Sequence, residues 1–204
     1  MSEVLLTLVR HGRTVANATN LLQGHVDHAL DEVGLEQAAG LAAALARVAP
    51  VTRLIASPLL RARQTADAIA SGLENSPVDV EVDPRWIELD YGDYDGMPIV
   101  DVPPATWGQW RSDIHFRPPN GESMAELDVR IRTALVDLCR QNEQGHVVVV
   151  SHVSPIKAAV AWALGVDIGV SWRTALDRAS MSTVRLDAER PALKTFNVTV
   201  HSRD

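Results

Sequence analysis

Two spacings of apolar residues divide this chain. Val4 to Val9 is an unbroken β-rich run, the pattern of a strand buried on both faces. A polar loop follows, and Asp31 stands as the N-cap of an alanine-rich helix reaching to about Arg47, closed off by Pro50. Val51 to Ala56 is a second short strand, and Pro58 opens a helix with Leu59, Ala62, Ala66, Ile69 and Leu73 at helical spacing. Val78 to Val82 alternates like an edge strand. Residues 84 to 121 are rich in Pro, Gly, Trp and Asp and predict the least regular part. From Glu122 to Asn142 one stripe runs through Met124, Leu127, Ile131, Leu135 and Leu138, with Ser123 and Glu126 at capping-box spacing. His146 to Ser151 is the most apolar strand, Pro155 to Leu164 a helix, and Thr183 to Leu186 and Leu193 to Val200 two late strands.

Strands and helices in this alternation predict a three-layer α/β/α sandwich with a mostly parallel central sheet. No repeat, low-complexity tract or linker interrupts it, so residues 1–204 are expected to form one domain. Such sheets bind ligands beyond the carboxyl ends of their strands. The residues that follow strands are therefore the ones to examine.

Composition narrows the partners. A formal net charge of -7 argues against non-specific nucleic-acid binding, and would repel anionic substrates unless positive charge is gathered locally. No run is apolar enough to span a membrane, and Met1-Ser2-Glu3 carries an acid where an export signal carries a base. Cys139 is the single cysteine, which excludes an internal disulfide and makes the cytoplasm the expected compartment.

Arg10-His11-Gly12 follows the first strand, Ser57-Pro58-Leu59-Leu60-Arg61 the second, and Ser151-His152 ends the strand through Val150. Two arginines and two histidines thus converge on one sheet edge from three distant segments. A phosphate monoester needs such a pocket, because its dianion is matched by planar bidentate donors. A neutral imidazole is also able to attack phosphorus, dividing hydrolysis into transfer to nitrogen and transfer to water. A second histidine would donate to the equatorial oxygens as charge spreads over them.

With these residues the chain resembles the histidine phosphatase superfamily, which contains cofactor-dependent phosphoglycerate mutases and broad-specificity phosphatases. The resemblance rests on Leu8 to Asn17, on Gln23 to Leu30 with Gly34, Gln37 and Ala38, and on Ser57 to Ala66. Glu88 to Gly96, Pro119 to Ser123 and Val150 to His152 complete it. It implies a phosphoglycerate mutase-like fold, with His11 as the phosphorylated nucleophile. Arg10, Arg61 and His152, helped by Asn17, would hold the phosphoryl oxygens, and Glu88 would be the general acid and base, ahead of Asp90. Gln23, Gly24 and the amide of Val153 would complete the phosphate site. Val153-Ser154-Pro155 stands where many relatives have two glycines, which bears on substrate choice more than on chemistry.

The expected activity is metal-independent hydrolysis of small phosphorylated metabolites, with no cofactor and no metal. A homodimer is left open. Phosphoglycerate mutase is the runner-up, followed by a non-catalytic phospholigand-binding module and a metallophosphatase. His25 and His28 with Asp27 and Asp31 suggest a metal site, but the turn-like context around Gly24 favours a loop at the substrate entrance. His115, His146 and His201 have no partner pattern and read as surface or edge residues, and Cys139 as inert core. Trp86, Trp107 and Trp110 either contact substrate or pack segment 84–121, an expected active-site lid, onto the body.

Overall fold

The computed structural model describes residues 4–73, 78–141 and 144–200. Residues 1–3, Asn142 and His201, which enter the sequence reading, lie outside these spans. Six strands form one sheet: β1 (Val4–Arg10), β2 (Val51–Ala56), β3 (Val80–Val82), β4 (Gly145–Ser151), β5 (Ser180–Arg185) and β6 (Ala192–Thr199), in the order β3-β2-β4-β1-β5-β6. β3, β2, β4 and β1 run parallel, whereas β5 and β6 add on antiparallel to β1 and to each other. The sheet is thus mostly parallel, as its strand–helix alternation predicts.

The described residues contain seven α-helices: α1 (Val15–Ala18), α2 (Glu32–Ala39), α3 (Leu41–Val48), α4 (Leu60–Gly72), α5 (Pro104–Ser112), α6 (Met124–Gln141) and α7 (Val153–Leu164). Alternate residues of the central strands face opposite layers, as the pleat requires. Leu6, Leu8, Val147 and Val149 meet the apolar faces of α6 and α7, including Leu127, Ile131, Leu135 and Ile156. Val9, Val148 and Val150 meet Leu41, Leu45, Ala62, Ala66 and Ile69 from α3 and α4. Both faces being covered explains why β1 and β4 read as continuous apolar runs.

Several boundaries differ from the sequence reading. The helix expected from Asp31 to Arg47 is two, interrupted at Gly40. Helices begin at Leu60 and Val153 rather than at Pro58 and Pro155. The third strand begins at Val80. Segment 84–121 is more ordered than its composition suggests, holding α5 and three short 3₁₀ turns. Trp86 belongs to the main core, fully buried beneath that segment, so it does not line a substrate path. Ser123 and Glu126 do cap α6, with Glu126 Oε2 accepting from the Ser123 amide (3.0 Å) and Ser123 Oγ from the Glu126 amide (3.2 Å).

Candidate active site

Strand register assembles the site. Arg10 pairs with Ser151 across β1 and β4, so His11 and His152 leave the sheet side by side. Their rings stand 5.1 Å apart, and the His11 amide extends the ladder by donating to the Ser151 carbonyl (3.1 Å). On the other side of β4, Ala56 pairs with Val150 and the Ser57 amide donates to the Val150 carbonyl (2.9 Å). Ser57 is thereby placed 2.7 Å from His152 Nε2. Arg61 follows on the first turn of α4, almost wholly buried.

His11 is fixed in one protonation form. Its Nδ1 donates to the Gly12 carbonyl (2.7 Å), which leaves the Nε2 lone pair for other work. Burial, then Arg61 and Arg10, pushes its pKa well below the ordinary value, so the ring is neutral near pH 7. His152 is held neutral by burial and the same charges. Gly12 is required here, because a Cβ at that position would stand 2.4 Å from the Gly34 carbonyl oxygen.

Three buried nitrogens at this edge lack a hydrogen-bond partner: Arg10 Nε, Arg61 Nε and His152 Nδ1. Such orphaned groups are rare in folded interiors because each costs about 1–3 kcal/mol. When the Ser57 hydroxyl donates to His152 Nε2, the ring proton sits on Nδ1, making all three orphans donors. Other nitrogens of the two guanidinium groups are anchored to backbone carbonyls. Arg10 Nη1 donates to the Leu176 carbonyl (2.5 Å), and Arg61 donates to the Val26 and Gly24 carbonyls (2.8 Å each). Burial brings the Arg10 pKa down to about 10, and burial lowers that of Arg61 as well. Positive charge is thus held largely out of water, with burial outweighing the nearby acidic charges. Arg178 adds to it, lowering the pKa of both Arg10 and His11.

Glu88 lies beside these cations, and its charge is the leading influence that raises the pKa of both Arg10 and Arg61. Its carboxylate sits at the N-terminus of α7, accepting from the amides of Leu89 (2.8 Å), Ser154 (3.1 Å) and Val153 (3.1 Å). The Val153 amide therefore serves Glu88 in this structure. The Glu88 carbonyl accepts from His25 Nε2 (2.9 Å) and Arg130 Nη2 (3.1 Å), while Arg130 Nη1 donates to the Arg85 and Ile87 carbonyls and Nε pairs with Glu122. Arg130 thus helps to position Glu88.

The other sequence candidates frame this centre. Asn17 closes a capping box with Thr14 at α1, and the Thr14 hydroxyl donates to Gln23 Oε1 (2.9 Å). Gly24 adopts φ +48°, and a Cβ there would meet Asp95 Oδ1 at 1.6 Å. Asp95 binds the amides of His25 (2.8 Å) and Tyr91 (3.2 Å), tying two loops together. Asp90, ranked behind Glu88 as the acid, accepts from the Gly92 amide (2.8 Å) as a turn residue. Asp27 accepts from the Leu60 amide (2.5 Å) and Asp31 from the Gly34 amide (2.8 Å) and Arg13 (2.9 Å), so both carboxylates near His25 and His28 are committed to helix starts. Ser57, Asp95, Arg130 and Arg178 were not singled out from the sequence. Only Ser57 carried a signal, as the residue opening a strand-end motif.

A family model described as histidine phosphatase superfamily (branch 1) matches residues 6–199. The chain belongs to the histidine phosphatase superfamily. A bifunctional protein of Mycobacterium tuberculosis is 34% identical over 187 residues, covering 90% of this chain and 50% of its own length. The chain therefore spans about half the length of that relative. Phosphoserine phosphatase 1 of Hydrogenobacter thermophilus is 33% identical over 202 residues, covering 97% and 94% of the two chains. A probable phosphoglycerate mutase of an Enterobacter species is 36% identical over 182 residues, covering 87% and 82%. Among solved structures, an Entamoeba histolytica phosphoserine phosphatase mutant in complex with phosphoserine superposes with a TM-score of 0.87 at 27% identity, covering 98% and 100%. Among the described residues no helix is long and apolar enough to cross a membrane.

Proposed function

We propose that the chain hydrolyses small-molecule phosphate monoesters through a phosphohistidine on His11, without a metal ion. The observation that carries this is the set of three orphaned nitrogens, on Arg10, Arg61 and His152, beside a neutral His11 whose Nε2 lone pair is unengaged. A phosphoryl group supplies the missing acceptors and compensates the buried charge. Nε2 of His11 attacks phosphorus, the P–O bond to the alcohol breaks, and Glu88 gives its proton to the departing oxygen. Water then attacks the phosphohistidine, Glu88 takes its proton, and inorganic phosphate leaves with His11 neutral again. Arg10, Arg61 and Arg178 provide the positive charge that a metal would otherwise supply. Segment 84–121 acts as the lid, and a small phosphorylated metabolite is the partner.

A mutase reading rests on the likeness to the probable phosphoglycerate mutase. Isomerisation of phosphoglycerate without net phosphate release would favour it. The test of the primary reading is phosphate release from 4-nitrophenyl phosphate with a chelator present. Wild type is expected to turn over, and His11→Ala to lose at least roughly 10⁴-fold. Equal activity in both proteins, or activity only after a metal is restored, would contradict it.

A further inference from the structure

A cavity of about 170 Å³ opens beside Glu88. Val153 and Ser154, whose amides hold the Glu88 carboxylate, form one wall, and Leu89 and Tyr91 line it from the segment that carries Glu88. Trp107 from α5 and Trp172 form a corner, their rings 6.3 Å apart and nearly perpendicular at 85°. Lys157 from α7 also faces the cavity. Its Nζ donates to the Ser171 carbonyl (2.9 Å) and forms no ion pair among the described residues, which leaves two of its three N–H groups for a ligand. Burial, with Arg10 nearby, lowers its pKa, and the Glu88 charge offsets this only in part.

We propose that this cavity receives the alcohol part of the substrate, and that this part is a flat aromatic ring carrying a carboxylate bound by Lys157. The inference rests on the phosphatase reading above and specifies its substrate class. The oxygen protonated by Glu88 lies at the mouth of the cavity, and the rings of Tyr91, Trp107 and Trp172 offer faces and edges to an aromatic body. Lys157 stands about one helical turn beyond Val153, so a carboxylate borne on the side of the ring away from the ester would meet it within the cavity. Lys157 is therefore the specificity-determining residue.

The test compares kcat/KM for 4-carboxyphenyl phosphate with its neutral isostere 4-carbamoylphenyl phosphate, in wild type, Lys157→Gln and Lys157→Arg. Comparing the ratio between wild type and the variants cancels the leaving groups' difference in electron demand, so the change in ratio reports the charge contact. Wild type is expected to prefer the carboxylate roughly 10- to 100-fold, the strength of a hydrogen bond to a charged group. Lys157→Gln should bring the ratio near one and Lys157→Arg should keep most of it. A ratio near one in wild type, or one unchanged in Lys157→Gln, overturns the assignment. So does faster turnover of phosphoserine than of the carboxylated aryl ester. Failure on both aryl esters while 4-nitrophenyl phosphate is hydrolysed overturns the pocket alone, and failure on all three overturns the phosphatase reading with it.

Discussion

Two regions of one sheet bury histidines in opposite ways. At the start of β4, His146 is fully buried and fully satisfied. Its Nδ1 donates to the Ala49 carbonyl (3.0 Å), and its Nε2 accepts from the Thr7 hydroxyl (2.8 Å), which lies 3.1 Å from that of Thr183. Beyond the other end of the same strand, His152 is equally buried but leaves Nδ1 without a partner, among arginines that also have orphaned nitrogens. Burial lowers the pKa of both rings. One region has closed its hydrogen-bond account and contributes stability. The other leaves donors unpaired at the strand ends, where the proposed phosphoryl group would supply acceptors. The difference lies in a cluster of orphaned donors around two neutral rings rather than in the presence of histidine.

Perturbing each region should therefore change different observables. After His11→Ala, the largest effect is expected for Glu88→Gln, whose single side-chain oxygen can still accept from the Leu89 and Ser154 amides but not from Val153, and which removes the proton. Turnover of alkyl phosphates should fall about 10²–10⁴-fold. The loss should be much smaller for 4-nitrophenyl phosphate, whose leaving group needs no acid. Equal losses on both esters, measured as kcat, would remove Glu88 from that role. Arg61→Ala should cost about 10²–10³ in kcat on every monoester alike, as the loss of an oxyanion donor does. An effect confined to one substrate would show that Arg61 reads the alcohol instead.

His146→Leu should act on stability alone. Removing the donor to the Ala49 carbonyl and leaving the Thr7 hydroxyl with Thr183 alone is expected to cost about 1–3 kcal/mol in denaturant unfolding, with turnover near wild type. A comparable loss of kcat would break the contrast between the two ends of β4. The smallest effect concerns pH. His11, His146 and His152 all have folded pKa values below the ordinary 6.5, so the unfolded chain binds more protons as pH falls. Stability present above about pH 6.5 should be lost as pH drops towards the folded values, by up to about 1.4 kcal/mol per pH unit for each ring. Replacing His146 should make that slope shallower. An unchanged slope would mean that this ring is not held neutral.

The same contrast explains what was legible in the sequence. Arg10, His11, Arg61 and His152 stood out because each closely follows an apolar strand, and the parallel register then brings those strand ends together. His146 was misread as a surface or edge residue because its partners, Thr7 and Ala49, lie 139 and 97 residues away in sequence. The central place of β4 between β2 and β1 is what buries it. Arg130 and Lys157 look like ordinary polar positions of helices until α6 and α7 dock against the Glu88 segment. α5 was hidden by Pro103, Pro104 and Gly108, although proline at the first helical turn is well tolerated. The antiparallel addition of β5 and β6 had no local signature, since strand direction is set by how the chain returns to the sheet.

The central claim is covalent chemistry at His11. The most direct measurement is rapid acid-free quenching of the enzyme during turnover of a labelled aryl phosphate, followed by mapping of the bound phosphoryl group. The account predicts an acid-labile, alkali-stable label on His11, formed and discharged at rates that match turnover, and absent from His11→Ala. Steady hydrolysis with no phosphoenzyme at any time, or a label on another residue, would contradict it.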